Sequence, residues 1–142
     1  MNFTRAILHC AATPDTKPGE PGFNGIGVSQ IRAWHKARGF SDVGYHFVVK
    51  RDGTISPGRS LFLDGAHTKG HNDALGVCLV GTLDFTHAQV KSLLTLARLF
   101  YEKYDLRPEH WFCHYQFNEH KTCPNIPVEV LRRLLKGGLA RG

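Results

Sequence analysis

The stretch Ala6-Ile7-Leu8-His9-Cys10 is an apolar run with one histidine near its end. A short, continuous apolar run of this kind is typical of a β-strand that is buried on both faces. We therefore predict a buried strand over residues 6–10. A histidine at the end of such a strand is usually a hydrogen-bonded core residue, so His9 becomes a candidate metal ligand only if other parts of the chain supply partners.

A second stretch, residues 113–124, supplies such partners. It contains His114, Lys121 and Cys123. Zinc prefers a mixed shell of nitrogen and sulfur, and a catalytic zinc ion uses three protein ligands and leaves its fourth position to water or substrate. The side chains of His9, His114 and Cys123 match that count. Lys121 would then stand beside the open position, where a cation can stabilise an oxyanion.

Two further histidines compete with His114 for the role of second ligand. His110 lies four residues before His114, a spacing that would place both on one face of a helix, although the aromatic residues between them favour a strand. His120 lies three residues before Cys123, which suits a compact chelating loop. The spacing alone leaves all three histidines open as ligands.

The remaining pattern predicts one α/β domain over residues 1–142, with a central mixed β-sheet flanked by helices. Arg51-Asp52-Gly53 between β-rich runs predicts a hairpin, and Thr86 followed by Gln89 predicts the capped start of a long helix. The expected strands cover residues 6–10, 45–50, 54–56, 75–80 and 111–114. Three helices are expected. The first begins at Ser29, the second begins after Thr86, and the third covers residues 128–136 and is followed by a Gly-rich tail.

Apolar spacing indicates which helix positions form the buried stripes. In the first helix these positions are Ile31 and Trp34. In the second they are Val90, Leu93, Leu94, Ala97, Phe100, Tyr101 and Tyr104. We expect the second helix to cover one face of the sheet.

The composition narrows the classes of partner. The formal net charge of +6 and the sequence pI near 9.4 favour negatively charged partners, which include nucleic acids, anionic envelopes and acidic sugar polymers. Lys and Arg are spread along the chain without a dense basic run, so we expect no direct nucleic-acid binding. The four cysteines indicate reduced thiols, and no stretch reaches membrane-spanning length.

Seven blocks of sequence, taken in order, carry a family resemblance: Ile7-Leu8-His9-Cys10, Ile31-Arg32-Ala33-Trp34-His35, Val43-Gly44-Tyr45-His46-Phe47, Arg51-Asp52-Gly53-Thr54, Gly65-Ala66-His67, Gly76-Val77-Cys78-Leu79-Val80-Gly81 and Lys121-Thr122-Cys123-Pro124. They resemble the zinc-dependent N-acetylmuramoyl-L-alanine amidases of the amidase-2 type, a family that includes small phage lysozymes and the peptidoglycan recognition proteins. The resemblance implies the α/β fold of that family, one Zn²⁺ ion as cofactor, and cleavage of the amide between N-acetylmuramic acid and L-alanine in bacterial peptidoglycan.

The resemblance also implies roles for individual residues. It makes His9, His114 and Cys123 the zinc ligands, and Tyr45 and Lys121 the catalytic pair beside the metal. Which member of that pair acts as base is left open. The resemblance extends to His67 and Asn72, which match a loop that lines the substrate cleft in this family. His35 and His46 are expected to be structural.

Several functional classes fit the resemblance. The first is a phage endolysin acting on peptidoglycan, made in the host cytoplasm without a signal peptide and reaching the wall after the membrane is permeabilised. A muropeptide-binding protein is the second, although inactive members commonly lose the cysteine that Cys123 provides here. A partner of phage RNA polymerase, which a phage lysozyme of this family binds, is the third, and a cytoplasmic recycling amidase is the fourth. We expect a monomer.

Overall fold

The computed structural model describes residues 2–141 and has five strands and three α-helices in that range. The strands are β1 Ala6–Cys10, β2 Phe47–Val49, β3 Ile55–Pro57, β4 Leu75–Leu79 and β5 Trp111–Cys113. The α-helices are α1 Val28–Ala37, α2 His87–Tyr104 and α3 Val128–Arg141. Two single turns of 3₁₀-helix, Pro108–His110 and His114–Gln116, flank β5. The order confirms the predicted mixed α/β class.

The five strands form one sheet in the order β3-β2-β4-β1-β5. β1 pairs in parallel with β4 on one side and with β5 on the other, β2 pairs in parallel with β4, and β3 is antiparallel to β2. Parallel strands end at the same edge of a sheet. The carboxyl ends of β1, β4 and β5 therefore open onto one edge, next to the loops that follow them.

The two faces of the sheet carry different cores. Leu8 of β1 and Val77 of β4 face α2 and α3, and the large cluster on that side includes Leu93, Leu96, Phe100, Leu131 and Leu135. The opposite face packs against α1 through a smaller cluster formed by Ile31, Val43, Val48, Cys78 and Val80. Because side chains alternate along a strand, His9 lies on the α1 face, beside Cys78 in the register of the sheet.

The start of α2 confirms the predicted capping box. The hydroxyl of Thr86 accepts a hydrogen bond from the Gln89 backbone N–H at 3.1 Å, and the Gln89 side chain accepts one from the Thr86 N–H at 3.1 Å. The predicted stripes need two corrections. In α2, Tyr101 is 37% exposed and Leu96 is buried in its place. In α1, Trp34 is 45% exposed, because Ile31 and His35, which are four residues apart, form the buried face of that helix.

The Gly-rich tail is helical, contrary to the prediction from its sequence, and α3 continues to Arg141. Close packing explains the glycine in this helix: a Cβ atom on Gly138 would lie 2.6 Å from Cδ2 of Leu94 in α2. The Arg98 guanidinium of α2 also donates a hydrogen bond of 2.6 Å to the carbonyl of Leu139. Contacts with α2 thus stabilise a segment with poor intrinsic helix propensity. Across residues 2–141, no helix combines the length and the apolar character needed to cross a membrane.

Arg51 of the hairpin turn is a buried cation that joins three parts of the chain. Its side chain is 2% exposed and donates hydrogen bonds to the backbone carbonyls of Thr16 (2.8 and 3.0 Å) and Asp84 (2.8 Å) and to the Gln89 side chain (3.0 Å). The Asp15 carboxylate lies 3.7 Å away. A buried charge is tolerated only when it is paired and hydrogen-bonded, and Arg51 meets both conditions.

Replacement of this cation is expected to destabilise the fold. Arg51→Met would leave the backbone carbonyls of Thr16 and Asp84 without their donor and the Asp15 carboxylate without its paired cation, so we expect a loss of about 3 kcal/mol or more in the free energy of unfolding. Urea denaturation measures the loss. The control is Lys91→Met at an exposed position of α2, which is expected to change stability by less than about 0.5 kcal/mol. Equal effects of the two changes would contradict the structural role of Arg51.

Candidate active site

Three candidate metal ligands meet at the edge where the strands end. His9 comes from the end of β1, His114 is the first residue after β5, and Cys123 lies in the loop before α3. One ligand atom from each residue lies within 4.8 Å of the corresponding atoms of the other two. The last strand was predicted to cover residues 111–114, but it ends one residue earlier, at Cys113. The reason is that the chain turns at His114 into the 3₁₀-helix His114–Gln116. This turn directs the chain toward the loop that carries Cys123.

The competing histidines lie outside this cluster. His120 has a side chain that is 85% exposed, with its nearest carboxylate on Glu119. His110 uses its Nδ1 atom to accept a hydrogen bond from the Arg107 backbone N–H at 2.9 Å. Among residues 2–141, the only group of three metal-ligating side chains of the His, Cys, Asp and Glu types is His9, His114 and Cys123.

His9 is oriented by a second buried histidine. Its Nε2 atom lies 2.9 Å from Nδ1 of His67, and the Nε2 atom of His67 lies 3.0 Å from the carbonyl oxygen of Ala74. A carbonyl only accepts, so His67 donates from Nε2 and its Nδ1 is an acceptor. Nε2–H of His9 donates to this Nδ1, and the Thr68 hydroxyl lies 2.9 Å from the same atom and 3.2 Å from His9 Nε2. This network leaves the lone pair of His9 on Nδ1, for which residues 2–141 offer no hydrogen-bond donor. Such an outer histidine holds the ring and the tautomer of a metal ligand.

Two glycines make room for the His67 ring. A Cβ atom on Gly76 of β4 would lie 2.5 Å from Cδ2 of His67, and one on Gly65 would lie 2.3 Å from the same atom. Real Cβ atoms do not approach this closely, so any side chain at either position would displace the ring. Sequence reasoning missed this role of His67. A glycine within an apolar strand, which often marks the close approach of another group, was the available signal.

Asn72 fixes the loop that carries His67. Its side-chain oxygen accepts the backbone N–H groups of His67 at 2.7 Å and Thr68 at 2.8 Å. Both ring nitrogens of His67 are engaged within the protein, although His67 and Asn72 do line one arm of the cleft described below. Their assignment as substrate contacts stays a prediction.

His46 and His35 have structural contacts, as expected. Nδ1 of His46 accepts the Gly76 backbone N–H at 3.0 Å, and its Nε2 atom lies 2.9 Å from the carbonyl oxygen of Leu63. His35 accepts the Gly44 backbone N–H at 2.9 Å. Both rings therefore hold loops around the site, and neither joins the group of metal-ligating atoms.

The thiol of Cys123 is held against the end of β1. Its Sγ atom accepts the backbone N–H of Cys10 at 3.0 Å, and its own carbonyl accepts the Tyr115 N–H at 3.0 Å. The neighbouring Cys123 thiol lowers the pKa of Cys10 to about 7, while Cys10 and burial raise the pKa of Cys123. The pair therefore gives up one proton readily and a second only with difficulty. The N–H donor at Cys123 Sγ favours negative charge on that sulfur.

The imidazoles of the site are neutral at physiological pH. Burial lowers the pKa of His9 well below its ordinary value, and it lowers the pKa of His67 to about 4. The pKa of His114 is also lowered, first by burial and then by the positive charge of Lys121. A neutral imidazole is the form that binds a metal ion, so burial prepares both His9 and His114 as ligands.

Tyr45 and Lys121 lie beside the cluster. The Tyr45 ring centroid is 5.1 Å from that of His9 and 5.5 Å from that of His35. Burial raises the pKa of the Tyr45 phenol well above its ordinary value, which keeps the hydroxyl protonated. Strand β2 begins at Phe47 rather than at the predicted residue 45, so Tyr45 lies before the strand. Lys121 is exposed and, like Tyr45, lines the cleft described below.

A cleft with two arms opens over these residues, and both arms include His35, Arg38, Tyr45, His114 and Lys121. One arm, of about 430 Å³, runs between α1 and the Cys123 loop, where Trp34 forms part of the rim. The other, of about 340 Å³, runs past the loop that carries His67 and Lys69. Arg38, Lys69 and Lys121 make the walls of the cleft positively charged, which suits an anionic substrate.

The donor set fits one zinc ion. Two neutral imidazoles and one thiol in mixed nitrogen and sulfur coordination correspond to a three-ligand catalytic site with an open fourth position. The open lone pair on Nδ1 of His9 and the gathering of the three ligand atoms support the same reading.

Comparison with known proteins agrees with this geometry. A family model described as N-acetylmuramoyl-L-alanine amidase matches residues 2–126. The chain is 44% identical over 135 residues to the endolysin of Escherichia phage T7, which covers 87% of this chain and 81% of that protein. It is 45% identical over 139 residues to the endolysin of Enterobacteria phage T3, covering 89% and 83% respectively.

A solved structure extends the comparison to the fold. The N-acetylmuramoyl-L-alanine amidase LysC from Clostridium intestinale URNW matches with a TM-score of 0.78 at 29% identity, covering 96% of this chain and 87% of that one. The range matched by the family model contains the three ligands of the cluster together with Tyr45 and Lys121. By its sequence and its fold, this chain is a member of the N-acetylmuramoyl-L-alanine amidase family.

Proposed function

We propose that this protein is a zinc-dependent phage endolysin that cleaves the amide bond between N-acetylmuramic acid and the L-alanine of the stem peptide. The observation that carries the zinc site is the meeting of His9, His114 and Cys123 at the floor of a basic cleft, with Tyr45 and Lys121 beside them. The family match and the phage endolysins at 44–45% identity support the reaction and the setting.

The three ligands would hold zinc through the Nδ1 lone pair of His9, the imidazole of His114 and the thiolate of Cys123. Zinc in such a site supplies Lewis acidity toward a carbonyl oxygen and lowers the pKa of a water molecule that it binds. His67 keeps His9 in the tautomer that this role requires. The neutral state of the imidazoles means that they lose no proton when they bind the metal.

Lys121 and Tyr45 act on the amide itself. The Lys121 ammonium group, on the open wall of the cleft, stabilises the negative charge that develops on the carbonyl oxygen when the amide is attacked. The Tyr45 hydroxyl is a hydrogen-bond donor in this step, because burial raises its pKa and keeps it protonated. A phenol that stays protonated is poorly suited to act as a base at neutral pH.

The proposed setting is the wall of an infected bacterium. The enzyme accumulates in the host cytoplasm and reaches peptidoglycan after another phage product permeabilises the membrane, and it acts as a monomer. Binding to phage RNA polymerase stays a prediction, because none of the contacts described above bears on it. Inhibition of transcription by excess protein is the direct assay.

Loss of a ligand is expected to remove the metal. His114→Asn and Cys123→Ser should each lose bound zinc and amidase activity on purified peptidoglycan, while the far-ultraviolet circular dichroism stays native. The matched control is His120→Asn, because His120 lies near the cleft but its ring points to solvent. Metal analysis after dialysis measures the zinc. Retention of zinc by His114→Asn together with loss in His120→Asn would reverse the ligand assignment.

Lys121 is expected to act on rate and not on metal binding. Lys121→Ala should lower kcat on the order of a hundredfold or more, because one preorganised donor to the oxyanion is removed. Tyr45→Phe is expected to lower kcat without loss of zinc. Steady-state assays on soluble muropeptide separate kcat from KM, and exposed Lys91→Ala serves as the control. Full activity with bound zinc in Lys121→Ala would show that the cation has no catalytic role.

The buried partner of His9 is expected to set metal affinity. His67→Ala removes the nearer partner of His9 Nε2–H and leaves only the Thr68 hydroxyl at 3.2 Å. Loss of an outer partner typically weakens metal binding about 10–100-fold. Competition with a chelating dye measures the affinity. His87→Ala, an exposed histidine at the start of α2, should leave it unchanged. An unchanged affinity in His67→Ala would mean that His9 keeps its orientation without this hydrogen bond.

A further inference from the structure

A second basic site lies on the face of the sheet opposite the cleft. It is a groove of about 820 Å³ between the C-terminal half of α2, the turn before β5 and the helix α3. Its lining residues are Arg98, Tyr101, Arg107, Pro108, Glu109, Arg132, Arg133, Lys136, Leu139 and Ala140. Five of these carry a positive charge and one, Glu109, carries a negative charge.

The charges of the groove are mostly uncompensated. Within residues 2–141, the only salt bridge that involves a lining residue joins Arg107 to Asp105 at 3.6 Å, and both side chains are more than half exposed. Arg133 and Lys136 are exposed on α3 and have no carboxylate partner in that range. Like charges held close together raise the local positive potential and attract an anion.

Two of the guanidinium groups are held in place by backbone carbonyls. Arg98 donates to the carbonyl of Leu139 at 2.6 Å, and Arg132 donates twice to the carbonyl of Trp111, at 2.8 and 3.0 Å. Arg132 also lies over the ring of Phe112, with 5.0 Å between its Cζ atom and the ring centroid. These contacts orient the cations without neutralising them. An oriented guanidinium loses less side-chain entropy when it binds an anion.

The shape of the groove favours one kind of anion. It is concave, and Leu139, Ala140 and Tyr101 give it apolar surface between the cations. A flexible chain with carboxylates and short apolar side chains fits such a surface better than a flat membrane does. Tyr101 is the only aromatic residue in the lining, which offers little for the stacking of nucleic-acid bases. Arg side chains bind carboxylates through paired hydrogen bonds.

We propose that this groove binds the carboxylate-bearing stem peptides of the peptidoglycan polymer at a site separate from the one that cleaves it. The proposal rests on the proposed function, since it takes the same polymer as ligand. Because peptidoglycan is a network, one polymer can occupy two weak sites on opposite faces of the same domain. Occupation of the groove then raises the effective concentration of uncleaved amide bonds near the cleft.

The test uses two lysines that are matched in exposure and in helical setting. Lys136→Glu reverses a charge in the groove, and Lys91→Glu reverses one on α2 outside it, with the same change in net charge. Both are placed in a Cys123→Ser background, so that purified insoluble peptidoglycan is not digested during a sedimentation assay. We expect Lys136→Glu to weaken binding about tenfold at low salt and Lys91→Glu to weaken it less than about twofold. Adding Arg133→Glu should weaken binding further.

Three more measurements complete the test. Conversion of the carboxylates of the peptidoglycan to neutral amides should reduce binding by the parent protein and abolish the difference between the two lysine variants. With an intact Cys123, both lysine variants should cleave soluble monomeric muropeptide with the kcat/KM of the parent. Thermal unfolding of each variant confirms that the fold is retained.

Three outcomes would overturn the proposal. One is equal binding of polymer by Lys136→Glu and Lys91→Glu, and another is binding that does not depend on carboxylates. The third is a loss in Lys136→Glu confined to phosphatidylglycerol vesicles or a single-stranded oligonucleotide, which would assign the groove to a membrane or to nucleic acid. In each case, cleavage of soluble muropeptide by the parent would leave the proposed function standing. Absence of that cleavage would instead count against the proposed function.

Discussion

The parallel pairing of β1 with both β4 and β5 is the constraint on which the site depends. It places the carboxyl ends of all three strands at one edge, so that His9 and His114 meet although they are far apart in sequence. The register matters as much as the pairing. A shift of β1 by one residue would turn His9 to the face covered by α2 and α3 and remove it from the cleft.

Buried polar groups keep this arrangement rigid. In the described part of the chain, every fully buried side-chain nitrogen and oxygen atom has a hydrogen-bond partner. Arg51 and Gln89 hold the loop after β1 and the start of α2 against the strand ends. His67 and His46 do the same on the α1 face, between β4 and the loops that line the cleft. The three candidate metal ligands are therefore held by a framework with little freedom to rearrange.

Much of the fold could be predicted from local pattern. The strand 6–10 and the capped start of α2 were found from a few residues each, because burial and capping leave direct marks in sequence. The extension of α3 to Arg141 could not be predicted, since contacts of Gly138 and Leu139 with α2 override poor helix propensity. Trp34 was misassigned because a large apolar residue can lie on the rim of a cleft.

The candidate site could be predicted from the sequence only in part. Spacing alone left His110, His114 and His120 as alternatives. The family resemblance favoured His114, and in the structure His114 is the one of the three that meets His9 and Cys123. The role of His67 beneath His9 and the basic groove both depend on residues brought together from distant segments. A scan for dense basic runs cannot detect a groove whose cations come from two helices and a turn.

The missing side chain at position 76 has a practical consequence for engineering. Exchange of glycine for alanine in a regular strand is a common route to greater heat resistance, because it restricts the unfolded chain and typically gains about 0.4–1 kcal/mol. At Gly76 the added methyl group would enter the space of the His67 ring. The usual gain in stability is therefore not expected at this position, because the clash displaces the buried ring that orients the candidate metal ligand His9. At Gly76, heat resistance and the geometry of the site are lost together, so a general rule for stabilising strands fails at this one position.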